Sequence, residues 1–293
     1  MGALPFDPHP FAIAVAVLAL AAYPLICSVG TRAERVQRLS IRNRFAVGLR
    51  QPTKRQKRFF LLGMLALFLA SYWPLDDIAQ HYLLLARMTQ QLLITLAAAP
   101  MLIMSLPRTS VVALTKPRFF DYILARLTRP VPAVIIFTTT AVLAMTPTLV
   151  KFELGSSWNQ FLVHLALLTA GVVAWIPILR VLPGVWQLST AGRLAYLFAL
   201  SLLPNVPALV LIFARRPLYP SYVHTSMGLS AVADQQLTGA LAKIASLAVF
   251  WGVAISILLK ADRDEELGLD PDPVTWDDVQ REFDRSSRRL PKG

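Results

Sequence analysis

Seven long apolar stretches alternate with short polar segments along the chain, at 11–29, 59–73, 82–104, 131–149, 161–179, 194–213 and 238–259. Most approach the roughly 20 residues that a helix needs to cross the hydrocarbon of a bilayer. The stretch at 59–73 is the shortest. A run of this length and polarity is read as a helix, because lipid offers backbone groups no partner outside their own segment. The pattern therefore predicts an all-α integral membrane protein, a bundle of seven transmembrane helices. Residues 1–260 form the membrane domain and residues 261–293 a charged tail.

Composition supports the class: 55% of the 293 residues are hydrophobic, too many for a soluble globule. Charge then orients it. Of the 29 Lys and Arg, 24 fall in alternate segments: the loop 31–58, the third loop, the fifth loop and the C-terminal tail. The N-terminus and the opposite loops hold only Lys151, Arg215 and Arg216, while Arg87 and Lys243 lie inside apolar runs. By the positive-inside rule the N-terminus faces out and the C-terminus faces the cytoplasm. A net charge of +12 could mean nucleic acid. Its clustering beside span ends points instead to anionic lipid headgroups, and no nucleic-acid partner is expected. The opening residues lack a basic n-region, so the first run reads as a retained anchor.

Two segments outside the spans have amphipathic character. In the third loop, 107–130, aromatic and basic residues interleave, as in a helix lying at the interface. In the tail, Trp276, Val279 and Phe283 follow the Asp270-Pro-Asp-Pro273 breaker at helical spacing. Cys27 stands alone, so no disulfide or thiolate cluster can form within the chain.

Polar groups inside spans carry the functional signal. Arg87, Gln90, Gln91 and Thr95 fall at i, i+3, i+4 and i+8, on one helical face. His164 lies one turn inside the fifth span; Asp234, Gln235 and Gln236 open the seventh, and Lys243 sits in its outer half. All map to the extracytoplasmic half, with Asp76, Asp77, His81 and His224 in adjoining loops. One polar cavity open to that side is expected, in which Asp234 neutralises the cations Arg87 and Lys243. Pro204 and Pro207 free backbone carbonyls within the sixth span, and Asn205 is a natural partner for one.

Several of these residues resemble a known family. They are the run Leu85–Pro100, the run Val163–Pro177, Leu202-Leu-Pro-Asn205, Tyr219-Pro-Ser-Tyr222 and, most specifically, Gly228-Leu-Ser-Ala-Val-Ala-Asp-Gln-Gln-Leu237. Together they resemble the seven-span CtaG-like cytochrome c oxidase assembly factors over roughly 59–260. The resemblance implies a bacterial plasma-membrane protein that helps to assemble a haem–copper oxidase, with oxidase subunits as partners and copper as the associated ion. The third-span motif of that family reads His-Met-x-Gln-His, where this chain has Arg87-Met88-Thr89-Gln90-Gln91. Arg has no lone pair to offer a metal. The expected copper site is therefore lost or moved, the residual donors being His164, Met88, His81 and His224. A cationic cavity of this kind would instead suit an anionic group. No nucleophile–base pair, phosphate loop or HExxH motif is present, so a non-enzymatic role is expected. A small-solute or metal-ion transporter is the competing class.

Overall fold

A computed structural model describes residues 20–27, 52–107, 110, 118–179, 188–222 and 227–266. Most of the first apolar run, the tail helix expected around Trp276 and the candidate donor His224 lie outside these residues. Among the described residues every regular element is helical. In chain order they are α1 (20–27), α2 (Lys54–Ser71), α3 (Leu75–His81), α4 (Leu84–Ser105), α5 (Arg118–Leu127), α6 (Pro130–Ala144), α7 (Pro147–Leu154), α8 (Ser157–Leu179), α9 (Thr190–Phe213) and α10 (Ala231–Glu266). Five helical stretches are long and apolar enough to cross a membrane, and a sixth is added if the bent pair α6–α7 counts as one span.

Local sequence explains where the helices begin and end. Thr53 and Gln56 form a reciprocal capping box, so α2 starts at Lys54, earlier than the apolar run, and carries basic residues into its first turn. The run 131–149 is not one helix. At its C-terminal end Thr146 caps Leu149 and Pro147 takes the first helical position, so α7 turns 71° away from α6. That turn places Glu153 in a helix against the bundle, where an outer loop was expected. In the third loop the expected amphipathic helix is present as α5, with Tyr122 and Arg126 exposed. At the other end α10 runs unbroken to Glu266, past the expected domain boundary at 260.

Two spans are irregular in mid-course. In α4, residues Leu93–Ala98 form a π-turn in which the Ala99 N–H reaches the carbonyl of Ile94. Pro100 has no N–H to offer, so the Thr95 carbonyl loses its helical donor. The Trp175 indole supplies one, at 2.9 Å. Gly171 lets α8 come this close: a Cβ there would stand 2.9 Å from the Ala99 Cβ and 3.2 Å from the Thr95 carbonyl oxygen. In α9, a 3-10 turn at Leu203–Asn205 interrupts the helix at Pro204. Asn205 donates from its side chain to the Ser201 carbonyl and exchanges hydrogen bonds with Ser246 of α10 at 3.1 and 3.2 Å.

Around these breaks packs the main apolar core, with Phe137, Trp175, Leu197, Leu200 and Phe250 at its centre. Phe250 meets Phe137 edge-on at 6.2 Å between centroids and lies 5.7 Å from Trp175. The Tyr196 hydroxyl is buried here and donates to the Ala174 carbonyl at 2.9 Å.

Among the described glycines the tightest approach is at Gly239, between α9 and α10, where a Cβ would stand 2.5 Å from the Ala208 carbonyl oxygen. A carbonyl held within a helix cannot yield as a side chain would. Gly239→Ala is therefore expected to lower stability by about 1–3 kcal/mol, read as a fall in the thermal unfolding midpoint in detergent. Gly252→Ala, whose Cβ would meet nothing within 4 Å, is the control and should leave that midpoint in place.

Candidate functional site

The polar stripe of α4 faces into the bundle. Arg87, Gln90, Gln91 and Thr95 are all buried, so Arg87 does not reach outward to the headgroups. Among the described residues they do not open into one polar cavity. Instead the polar groups divide into three hydrogen-bonded clusters.

The first is built on Asp76, fully buried in the first turn of α3. Its carboxylate accepts from Gln80 at 2.7 Å, from Gln90 at 2.7 Å, and from Gln160 of α8. Gln90 also donates to the Ala70 carbonyl at 2.6 Å, at the end of α2. Three amide donors around one carboxylate replace the water that burial removed. This cluster ties α2, α3, α4 and α8 together.

The second cluster is ionic. Arg87 Nη2 pairs with Glu153 Oε2, and the same guanidinium nitrogen reaches the Ala144 carbonyl at 3.4 Å. The other Glu153 oxygen lies 3.6 Å from His164 Nε2. His164 Nδ1 stands 3.3 Å from the Ser71 hydroxyl. Arg87 and Glu153 are 7% and 6% exposed, which makes this a charge pair withdrawn from water. The expectation that Asp234 neutralises Arg87 is corrected here, and the partner is Glu153. The bend at Thr146-Pro147 carries Glu153 over the bundle, a placement that no helical periodicity along 131–149 contains. Glu153 was nevertheless visible as the single acid between the fourth and fifth apolar runs.

The third cluster begins with Asp234. Its two carboxylate oxygens accept from the backbone N–H groups of Leu84 at 2.8 Å and Leu85 at 3.1 Å. It is thus a cap supplied in trans to the N-terminus of α4, whose first N–H groups lack helical partners and whose dipole favours an anion. Gln235 accepts from Leu218 N at 2.8 Å and donates to the Arg216 carbonyl at 3.4 Å, while Gln236 donates to the Ala214 carbonyl at 3.2 Å. Both hold the segment that joins α9 to α10. Further along that segment, the Tyr219 hydroxyl donates to the Met145 carbonyl and the Tyr222 hydroxyl donates to the Ala79 carbonyl at 2.5 Å. Burial pushes the Tyr222 phenol above its ordinary range, with the Arg87 cation pulling the other way.

Lys243 joins none of the three clusters. Its neighbour Ala242 faces the bundle, and a step of about 100° along the helix turns Lys243 outward, where it is exposed. The cavity beside Arg87 is correspondingly small. It measures about 10 Å³ and is lined by Arg87, Met88, Gln91, Tyr219 and Thr238 among others, room for about one water molecule. Gln91 donates across to the Ala141 carbonyl at 3.4 Å.

The three candidate metal donors among the described residues, His164, His81 and Met88, are not gathered. His164 sits in the ionic cluster, while His81 is exposed and lies 3.2 Å from the Asp77 carbonyl. Met88 packs in an apolar cluster with Leu84, Met145 and Leu211. Among the described residues no three His, Cys, Asp or Glu side chains converge to hold a metal ion. At the ionic cluster one imidazole faces a carboxylate already committed to an obligate cation. That donor set does not fit a copper ion, which takes thiolate, thioether or imidazole ligands. Nor is the cluster a cationic cavity open to an anion, because Glu153 balances Arg87.

Compared with known proteins, the chain matches the family described as cytochrome c oxidase caa3 assembly factor, over residues 36–263. No curated protein and no solved structure matches.

Removing one member of a buried pair strands the other. Glu153→Gln is expected to cost about 3–5 kcal/mol, seen as a large drop in the thermal midpoint in detergent. Arg87→Met combined with Glu153→Gln removes both charges and should recover most of that loss. Additive losses in the double variant would show that the pair is not coupled.

Proposed function

The chain belongs to the cytochrome c oxidase caa3 assembly factor family, and from that premise we propose that it serves the maturation of a haem–copper oxidase from the extracytoplasmic side of the bacterial plasma membrane. It does so as a scaffold and not as an enzyme. The observation that carries this reading is the family match, which spans the helices that hold all three polar clusters. The side assignment rests on the distribution of Lys and Arg, which puts the clusters in the outer half.

The finer reading concerns copper. In an oxidase assembly factor the ion is cargo, and the family motif with two histidines would suit it. Here Arg87 and Gln91 stand in those positions. The donors at the ionic cluster argue against carriage of the ion at that place. We therefore favour a contribution to copper-centre maturation through the oxidase polypeptide, which the protein holds while the centre is filled from another source. The buried clusters suit such a role, since each one locks several helices into a fixed outer surface.

A deletion strain tests the assembly role. Oxidase activity and spectroscopically detectable oxidase haem should be lost while oxidase transcript persists. Normal oxidase in that strain would end the proposal. The copper reading has its own measurement: protein purified and washed with a mild chelator should hold no stoichiometric copper. A copper ion retained by each chain and released by His164→Ala would instead assign carriage to this cluster.

A further inference from the structure

Two cavities meet inside the bundle at Gln91. The one beside Arg87, of about 10 Å³, shares three wall residues, Met88, Gln91 and Met145, with a second of about 30 Å³. This second cavity lies among α4, α6, α9 and α10, and Thr95, Asn205 and Ser246 bring polar groups to it. Both helix breaks described above reach its wall. Leu96 belongs to the π-turn of α4, and Pro204 to the 3-10 turn of α9. Irregular backbone within a span is tolerated where it is packed in protein or borders water.

A buried water needs room and two to four polar partners. Gln91 offers the first partner to both cavities. It is 8% exposed, and its amide nitrogen reaches the Ala141 carbonyl only at 3.4 Å. Its amide oxygen has two lone pairs but accepts no hydrogen bond among the described residues. A buried acceptor without a donor is costly, and a water in either cavity supplies the donor.

Partners also stand at both far ends. On the side of the smaller cavity, the Arg87 guanidinium has five N–H donors. Those on Nη2 serve Glu153 and the Ala144 carbonyl, and Tyr222 accepts another, so donors remain to meet a water. On the side of the larger cavity, Asn205 and Ser246 exchange hydrogen bonds, and each side-chain oxygen keeps a lone pair beyond that exchange. Much of the wall between is apolar, and a cavity lined by apolar groups alone would stay dry. The polar groups decide the matter, and they come in order: Arg87, then Gln91 at the junction, then Asn205 with Ser246.

We propose that the two cavities hold one file of about three ordered water molecules, about one in the smaller and two in the larger. It runs from the Arg87–Glu153 pair past Gln91 to the Asn205–Ser246 pair. Gln91 is the ligand common to the file, its oxygen accepting from water on either side. The file hydrates from within a charge pair that is otherwise withdrawn from bulk water, and it ties that pair to the break in α9.

The test is radiolytic footprinting of the purified protein in detergent, where hydroxyl radicals born from nearby water oxidise a thioether to its sulfoxide. Three methionines are buried alike, Met64 at 8%, Met88 at 7% and Met145 at 8% exposed. Met88 and Met145 line both cavities, whereas Met64 lines neither and packs with Tyr23, Cys27 and Phe60. Met88 and Met145 should be oxidised at least about tenfold faster than Met64, as for a thioether beside held water against one sealed in apolar packing. Gln91→Leu removes the shared ligand and should bring both rates down to that of Met64, with the helical circular dichroism unchanged. Ala141→Val crowds the larger cavity and deletes no polar group; it should lower the same rates if the Leu variant does not accumulate. Equal rates at all three methionines of the unsubstituted protein would show the cavities dry and end the proposal. Fast oxidation undiminished in the variants would overturn it too, since the water would not be held by Gln91. Neither result bears on the assembly role, which the deletion strain judges by itself.

Discussion

Inside a bilayer every backbone carbonyl and N–H must find its partner within the protein, and most of the polar side chains of this bundle are committed to that need. Trp175 answers the Thr95 carbonyl freed by Pro100, and Asn205 answers the Ser201 carbonyl at the Pro204 break. Gln90 and Gln91 donate to carbonyls at Ala70 and Ala141, and Asp234 accepts the leading N–H groups of α4. Even Arg87 spends part of its guanidinium on the Ala144 carbonyl. Among the described residues, what these pairings leave over is the Asp76 carboxylate with the Gln80, Gln90 and Gln160 amides, and the ionic cluster of Arg87, Glu153 and His164, with Ser71 against the imidazole.

That accounting shows what could be read from the chain and what could not. The membrane-helix character was legible, because long apolar runs predict spanning helices and five helical stretches, or six with the bent pair, are long and apolar enough to cross a membrane. The inward face of Arg87, Gln90, Gln91 and Thr95 was legible too, since a helical period places them on one side. The orientation of Lys243 needed the packing of α10 against α9, which turns Ala242 and Ser246 inward and leaves Lys243 outside. The partner of Arg87 needed the break at Thr146-Pro147. A continuous fourth span would have kept Glu153 in a loop, and Asp234 then looked like the available carboxylate. Pattern along one helix does not report which side chain arrives from another.

Against the His-Met-x-Gln-His motif that the resemblance implies for this span, Arg87 and Gln91 are a change of electrostatic kind: a fixed cation and an amide stand where two neutral imidazoles are expected. A buried cation requires a counter-charge, and Glu153 provides it beside His164. The three residues are best treated as one unit, since the two oxygens of Glu153 face Arg87 and His164. Substitution at any one of them alters the others before it alters chemistry.

The π-turn at Leu93–Ala98 carries a consequence for how such a chain can change over time. A turn of this kind is an α-helix with one residue too many, so the part of α4 above it is rotated by about 100° relative to the part below. The stripe from Arg87 to Gln91 and the apolar lower half both face the bundle only because of that extra residue. A deletion of a single codon in this stretch would leave composition, span length and charge almost untouched. It would nonetheless swing the outer stripe toward lipid. The number of residues between Gln91 and Pro100 is thus as constrained as their identity, and a lineage could lose the outer clusters without losing any of the side chains that build them.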